Sequence, residues 1–158
     1  MNTIIDKDLL SIQEARILAE NAKAAQKVLA TYTQEQLDAI VDRMAEEINK
    51  YAKELAKMSA EETDYGVWQD KYIKNRFVCE YLRGKLKGLR CVGIIHRDEA
   101  SKTMDVGVPI GVIASLCPAT SPVSTTIYKV LIAVKAGDAI VVSPHPRAQK
   151  TIGRVLDI

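Results

Sequence analysis

Residues 107–147 read GVPIGVIASLCPATSPVSTTIYKVLIAVKAGDAIVVSPHPR. A short apolar run, 110–117, meets a Pro-Ala-Thr-Ser-Pro turn. An apolar helical stretch, 123–136, follows and stops at Gly137. A β-branched run, 139–142, then ends in Ser143-Pro144-His145-Pro146. Strand, turn, helix, strand, turn is the opening of a doubly wound α/β domain, in which parallel strands are joined by a crossover helix. The near-continuous apolar run of the first strand predicts cover on both of its faces. Pro122 fits the first helical position, and Thr120 and Ser121 are candidates to cap that helix. Amides at such a helix start point toward the strand exit and suit an oxyanion or phosphate. Ser124 and Thr125 add hydroxyls there. Ile127, Val130, Leu131 and Val134 form the face expected to lie on the sheet, with Tyr128, Lys129 and Lys135 outward. Lys135-Ala136-Gly137 is a helix ending with a cation in the last turn.

Upstream of this unit the chain is helical. Ser11 and Glu14 have capping-box spacing and predict a helix from 11 to about 30. Thr33 and Gln36 repeat the signature. The stripe Leu37, Ile40, Val41, Met44, Ile48, Tyr51, Leu55 and Met58 predicts a long amphipathic helix, with the methionines as core fillers. Ser59 and Glu62 suggest another cap and a short turn through Asp64. A further helix over 67–87 is expected to turn Val67, Ile73, Phe77 and Tyr81 inward. Residues 89–95 and 102–106 read as two strands that pair back as a hairpin. The resulting division is a helical region (1–88), a strand pair (89–106) and the beginning of a nucleotide-type domain (107–158).

Composition is globular: 47% of residues are hydrophobic and 27% charged, so disorder is not the expectation. A net charge of +2 demands neither nucleic acid nor a membrane as partner. Residues 1–100 hold 16 of the 22 Lys/Arg and 17 of the 20 Asp/Glu, which marks the remainder as the more buried part. The start MNTIIDKDLL lacks a signal-peptide pattern. Cys79, Cys91 and Cys117 have no paired spacing, which fits a reducing cytoplasm. No metal-ligand cluster is present; His96 reads as structural or solvent-facing. His145, between two prolines at a strand exit, stands where open α/β sheets collect ligands. Cys117, late in an apolar strand, reads as a buried structural thiol. There is no G-x-G-x-x-G and no Walker A pattern.

The run 109–148, PIGVIASLCPATSPVSTTIYKVLIAVKAGDAIVVSPHPRA, resembles the CoA-acylating branch of the aldehyde dehydrogenase superfamily, especially the N-terminal part of the bifunctional aldehyde–alcohol dehydrogenases. Ser143-Pro144-His145-Pro146-Arg147-Ala148 is its most specific element. Ala60-Glu61-Glu62-Thr63 and Asp70-Lys71-Tyr72-Ile73-Lys74-Asn75 extend the likeness over nearly the whole chain. The resemblance implies α/β architecture: N-terminal helices, a strand pair, and the first βαβ unit of an incomplete Rossmann-like domain. It implies reversible conversion of an aldehyde, NAD(P)+ and coenzyme A to acyl-CoA and NAD(P)H. It implies a cofactor-binding set of Pro118, Ala119, Thr120, Ser121, Ser143, His145 and Pro146, with Thr120 and Ser121 as oxyanion-turn residues. The branch usually shows Pro-x-Thr-Asn-Pro at this turn, and Ser121 stands in place of its Asn. Ser143 takes the place of a lysine found in the wider superfamily, as is usual in the branch.

None of the three cysteines matches the family's nucleophile, which lies beyond position 158. The resemblance therefore describes an N-terminal segment, expected to be inactive alone and completed by a homo-oligomeric full-length enzyme or a separately encoded remainder. A non-catalytic binding or assembly module and a decayed truncated gene product are the alternatives to an enzyme piece.

Overall fold

The computed structural model describes residues 6–158. Helix α1 (Lys7–Leu29) is started by Asp6, whose carboxylate accepts the amides of Asp8 and Leu9. Ser11 therefore lies inside the helix and caps nothing. The aspartate wins because it sits in extended backbone one turn earlier, with Asp8 also in the first turn. The helix lies alongside the strands Val112–Cys117 and Ala139–Pro144, yet buries none of its residues. Its small-residue face is half-buried at Ala22 and exposed at Ala15, Ala19 and Ala25.

The Thr33 capping box forms as its spacing predicts. Thr33 Oγ1 accepts the amide of Gln36, and the Gln36 side chain accepts the amide of Thr33. It opens α2 (Gln34–Lys50), but the expected long helix breaks at Tyr51 and resumes as α3 (Ala52–Thr63). The apolar stripe runs through the break: Leu37, Val41, Ile48 and Leu55 are all buried. Ser59 starts no new turn, because α3 continues through it and ends at Asp64 in a left-handed conformation, φ 52°.

Glu62 also departs from the sequence expectation. Instead of capping its own helix, it accepts the amides of Lys150 and Thr151 and the Thr151 hydroxyl. It thereby supplies acceptors for the first turn of α7 (Gln149–Asp157), a helix 88 residues away in sequence at its closest bond. A carboxylate in the partial positive field of a helix start is the favoured arrangement.

The helix expected over 67–87 is three pieces: α4 (Trp68–Arg76), a π-helical segment (Phe77–Leu82) and α5 (Arg83–Leu86). Its orientation is the reverse of the expectation. Ile73, Phe77 and Tyr81 are 65%, 53% and 56% exposed, and Val67 is exposed too. Lys71, Asn75, Val78 and Cys79 face inward instead. The inward side is fixed by polar bonds that apolar periodicity does not register, such as Asn75 Nδ2 donating to the Ala52 carbonyl at 3.0 Å. The π turn lets the consecutive residues Val78 and Cys79 both enter the core.

Strands β1 (Gly93–Asp98) and β2 (Thr103–Gly107) form an antiparallel hairpin with an irregularity between Ile94 and His96. Strands β3 (Val112–Cys117) and β4 (Ala139–Pro144) pair in parallel, Val112 opposite Ala139 and Cys117 opposite Pro144. Helix α6 (Pro122–Lys135) is their crossover. The architecture is α/β: helices, then a strand pair, then the first parallel unit of a Rossmann-like fold.

Two expectations for this unit are corrected. First, β3 is covered on one face only: Ser115 and Cys117 are buried, whereas Val112, Ala114 and Leu116 are exposed, Leu116 at 76%. Alternation is what a strand with a single covered face shows, and apolar content alone does not reveal it. Second, the buried side of α6 (Val123, Ile127, Leu131) clusters with Val41, Ala45, Ile48, Leu55, Val78, Cys79 and Val155, all from helices, and not with strand side chains. The covered strand face packs Cys117 and Val142 on Ala148 and Ile152.

Polar side chains join these layers. Lys135 is not outward: it is 3% exposed, and its Nζ donates to Asp38 Oδ1 at 2.6 Å. Helix α6 leans its last turn on α2, so a lysine placed for the helix dipole becomes an internal ion pair. Gln34 donates to Asp38 and to the Lys135 carbonyl while its Oε1 accepts the amides of Cys91 and Val92. Asp138, 2% exposed, accepts the Gly111 amide at 2.7 Å and ties the starts of β3 and β4 together.

Three outcomes are expected. Gln34→Ala leaves two backbone amides without their acceptor and costs about 2–4 kcal/mol in urea unfolding. Gly107→Ala is disruptive, because a Cβ there would meet the Cys91 carbonyl oxygen at 2.1 Å; its melting temperature falls well below that of Gly84→Ala, where the added carbon meets nothing within 4 Å. Burial raises the Glu62 pKa, but the Thr151 hydroxyl and the two amides outweigh it, so its carboxyl is held below the ordinary value of 4.5. A depressed folded-state value stabilises above the unfolded value and is lost as pH falls through the folded one. Glu62→Gln therefore flattens the acid limb of stability against pH below about 4.5, read by circular dichroism melts.

Candidate functional site

The two parallel strands end side by side. Cys117 pairs with Pro144, and the His145 amide donates to the Cys117 carbonyl at 2.9 Å. The turn Pro118-Ala119-Thr120-Ser121 leaves β3 here, next to Ser143-Pro144-His145-Pro146 at the end of β4. Pro118, Thr120, Ser143, His145 and Pro146 are exposed, and Ala119 and Ser121 are half-buried. All seven residues singled out in the sequence thus lie on the carboxyl ends of two adjacent parallel strands, the side of an open α/β sheet where ligands bind.

The helix start between them is open. Ser121 is the N-cap residue of α6 by position, at φ −138°, ψ 58°, but no side chain caps this helix. The capping expected of Thr120 and Ser121 does not occur. Ser121 Oγ instead accepts from Lys74 Nζ at 3.4 Å, and the Thr120 carbonyl accepts from Lys71 Nζ at 2.9 Å. Within the helix, the Thr126 hydroxyl returns to the Pro122 carbonyl. The first-turn amides are thereby left for an external acceptor.

His145 is held by its own backbone: Nδ1 accepts the Arg147 amide at 3.1 Å, which places the proton of a neutral ring on Nε2. Arg147 in turn donates to the Thr63 carbonyl at 2.8 Å and anchors the 3-10 turn Pro146–Ala148 to α3.

Lys71 and Lys74 are the site residues that sequence reasoning missed. Their i, i+3 spacing, with Asn75 at i+4 of Lys71, was the available signal: it defines one polar side of α4, and that side faces α6. Burial followed by repulsion from Lys74 lowers the Lys71 pKa.

No cysteine here has the surroundings of a nucleophile. Cys79 is buried among apolar side chains, and burial, reinforced by Glu80, pushes its thiol up to about 12. Cys117 is buried, its Sγ 3.7 Å from Ser115 Oγ. Cys91 is half-buried in the connection before β1. Among the described residues, no three His, Cys, Asp or Glu side chains gather as metal ligands, and no helix is long and apolar enough to cross a membrane.

The geometry and the sequence have known counterparts. Residues 3–158 match the model of the aldehyde dehydrogenase family. A probable aldehyde dehydrogenase from Listeria monocytogenes is 48% identical and superposes with a TM-score of 0.94, over 98% of this chain and 34% of that one. An acetylating aldehyde dehydrogenase from Geobacillus thermoglucosidasius is 45% identical with a TM-score of 0.92, over 96% of this chain and 34% of that one. The bifunctional aldehyde-alcohol dehydrogenase of Escherichia coli is 38% identical over 148 residues, 94% of this chain and 17% of that protein. The chain spans about a third of these solved structures and a smaller share of the bifunctional relative. The chain belongs to the aldehyde dehydrogenase family.

Proposed function

We propose that this chain serves a CoA-acylating aldehyde dehydrogenase, in which an aldehyde, NAD(P)+ and coenzyme A give acyl-CoA, NAD(P)H and a proton. The observation that carries this reading is the 45% identity to an acetylating enzyme over 96% of the chain. Residues 107–158 are then the opening of the NAD(P)-binding domain, with the helical region 1–88 as its support and the strand pair 89–106 projecting from it. Three free thiols suit a cytoplasmic enzyme.

The residues present fit a phosphate-bearing cofactor. An uncapped helix start faces the exits of two parallel strands, and the flanking turns carry short side chains that let a ligand approach the backbone. Pro118, Ala119, Thr120 and Ser121 would hold one side of it and Ser143, His145 and Pro146 the other. When bound, the dinucleotide supplies the hydride acceptor and coenzyme A the thiol that receives the acyl group. The chain's own part is positioning. The rigid Pro118 and Pro122 fix the turn, and the amides of α6 favour negative charge developing on an aldehyde oxygen. The Ser121 hydroxyl, kept out of the helix cap and beside an ammonium group, is available as a further donor.

In the intact enzyme, Ser121→Ala should lower kcat of CoA-dependent NADH formation by about 10- to 100-fold with little change in the KM for NAD+. Ser121→Asn should retain most of the rate. Absence of aldehyde- and CoA-dependent NADH formation by the intact protein rejects the reading. Thiol labelling gives a second check: Cys79, buried and with its thiol pushed up to about 12, resists iodoacetamide in the folded protein at pH 8 and reacts once urea unfolds it. Activity should survive Cys79→Ala and Cys117→Ala, since neither thiol is placed to attack substrate.

A further inference from the structure

Helix α4 brings two lysines to one peptide of the turn between β3 and α6. Lys71 Nζ donates to the Thr120 carbonyl at 2.9 Å, and Lys74 Nζ donates to Ser121 Oγ at 3.4 Å. No carboxylate pairs with either ammonium group among the described residues. Lys71 is only 7% exposed, and besides the carbonyl it lies over the Tyr65 ring, 6.0 Å from the centroid. Taking an ammonium group out of water without a carboxylate beside it costs free energy. A neutral donor would satisfy the same carbonyl without that cost, so the charge itself asks for another reason.

The two bonds converge on Ser121. The Thr120 carbonyl and the Ser121 amide belong to one planar trans peptide, which turns them in opposite directions. Lys71 thus fixes the plane from which the Ser121 side chain projects. An ammonium group can donate but cannot accept. Ser121 Oγ therefore turns a lone pair toward Lys74, and its own proton is turned elsewhere. That hydroxyl caps no helix and donates to no group among the described residues. A hydroxyl whose oxygen already accepts a hydrogen bond is also a stronger donor.

We infer, on the function proposed above, that Lys71 and Lys74 are positioning residues for the reaction at the aldehyde carbonyl. They hold Ser121 so that its hydroxyl donates to the aldehyde oxygen as negative charge develops there. Neither lysine touches substrate in this role. No proton is transferred, because Ser121 and both ammonium groups keep theirs. The two positive charges behind Ser121 favour the same build-up of negative charge in front of it.

The test is a double-mutant cycle in the intact protein, read as kcat and KM of CoA-dependent NADH formation. Lys71→Met and Lys74→Met should each lower kcat about tenfold, the scale of one charged hydrogen bond, with the KM for NAD+ unchanged. Lys74→Arg keeps the charge and the donors and should restore most of the rate. In a Ser121→Ala background neither methionine should lower kcat further, because the hydroxyl they hold is gone. Losses that multiply with that of Ser121→Ala overturn the inference, and so does wild-type kcat in either single variant. Lys74 is exposed, so its variants decide the outcome if Lys71→Met fails to fold. An intact protein without CoA-dependent NADH formation removes the proposed function and this role with it. An active protein in which the losses multiply removes this role alone.

Discussion

Burial of helix α6 is the constraint on which the rest of the molecule depends. Two parallel strands cannot be joined by a tight turn, so β3 and β4 require a crossover, and that crossover must hide its apolar side. Val123, Ile127 and Leu131 do so against α2, α3, the π segment and α7. The N-terminal helices are therefore the floor on which the strand–helix–strand unit is built. The open helix start inherits its position from this packing: α6 is held along its length by apolar contact and left unsatisfied at its head.

Buried polar groups then fix what apolar contact leaves free. Hydrophobic packing is non-directional, so it permits α6 to slide or rotate on α2. Gln34, Asp38 and Lys135 remove that freedom at one end, and Lys71 bonded to Thr120 restrains the other. Glu62 plays the same part for α7, and Asp138 for the strand entrances. Each bond joins segments distant in sequence, and each aligns an element whose apolar face alone would tolerate several positions.

This division explains what was legible in the sequence. The Thr33–Gln36 capping box, Pro122 at the first position of α6, the stop at Gly137 and the order of β3, α6 and β4 are local signals, and the structure shows each of them. Which side of 67–87 faces inward was not legible, because Ile73, Phe77 and Tyr81 are apolar and read as core by default. The choice was made by Lys71 and Asn75, through acceptors 49 and 23 residues away. Lys135 shows the same limit: a terminal lysine satisfies the dipole rule whether or not a distant Asp38 waits for it. The cluster of seven turn residues was readable because both turns follow strands of one unit. The lysines beside them were not, since Lys71 and Lys74 reach Thr120 and Ser121 only because α4 arrives from elsewhere.

The π-helical segment Phe77–Leu82 has a consequence for how this chain can vary over descent. Arg83, immediately after it, donates to both Asp42 and Glu46 on α2. Removing one residue from the segment would return it to ordinary helical winding and swing Arg83 by about 100° around the axis, away from both carboxylates. Substitutions that keep the chain count leave that pairing intact, whatever their chemistry on the exposed side. Insertions and deletions here are therefore far more damaging than point changes, and in this segment it is length rather than composition that descent must preserve.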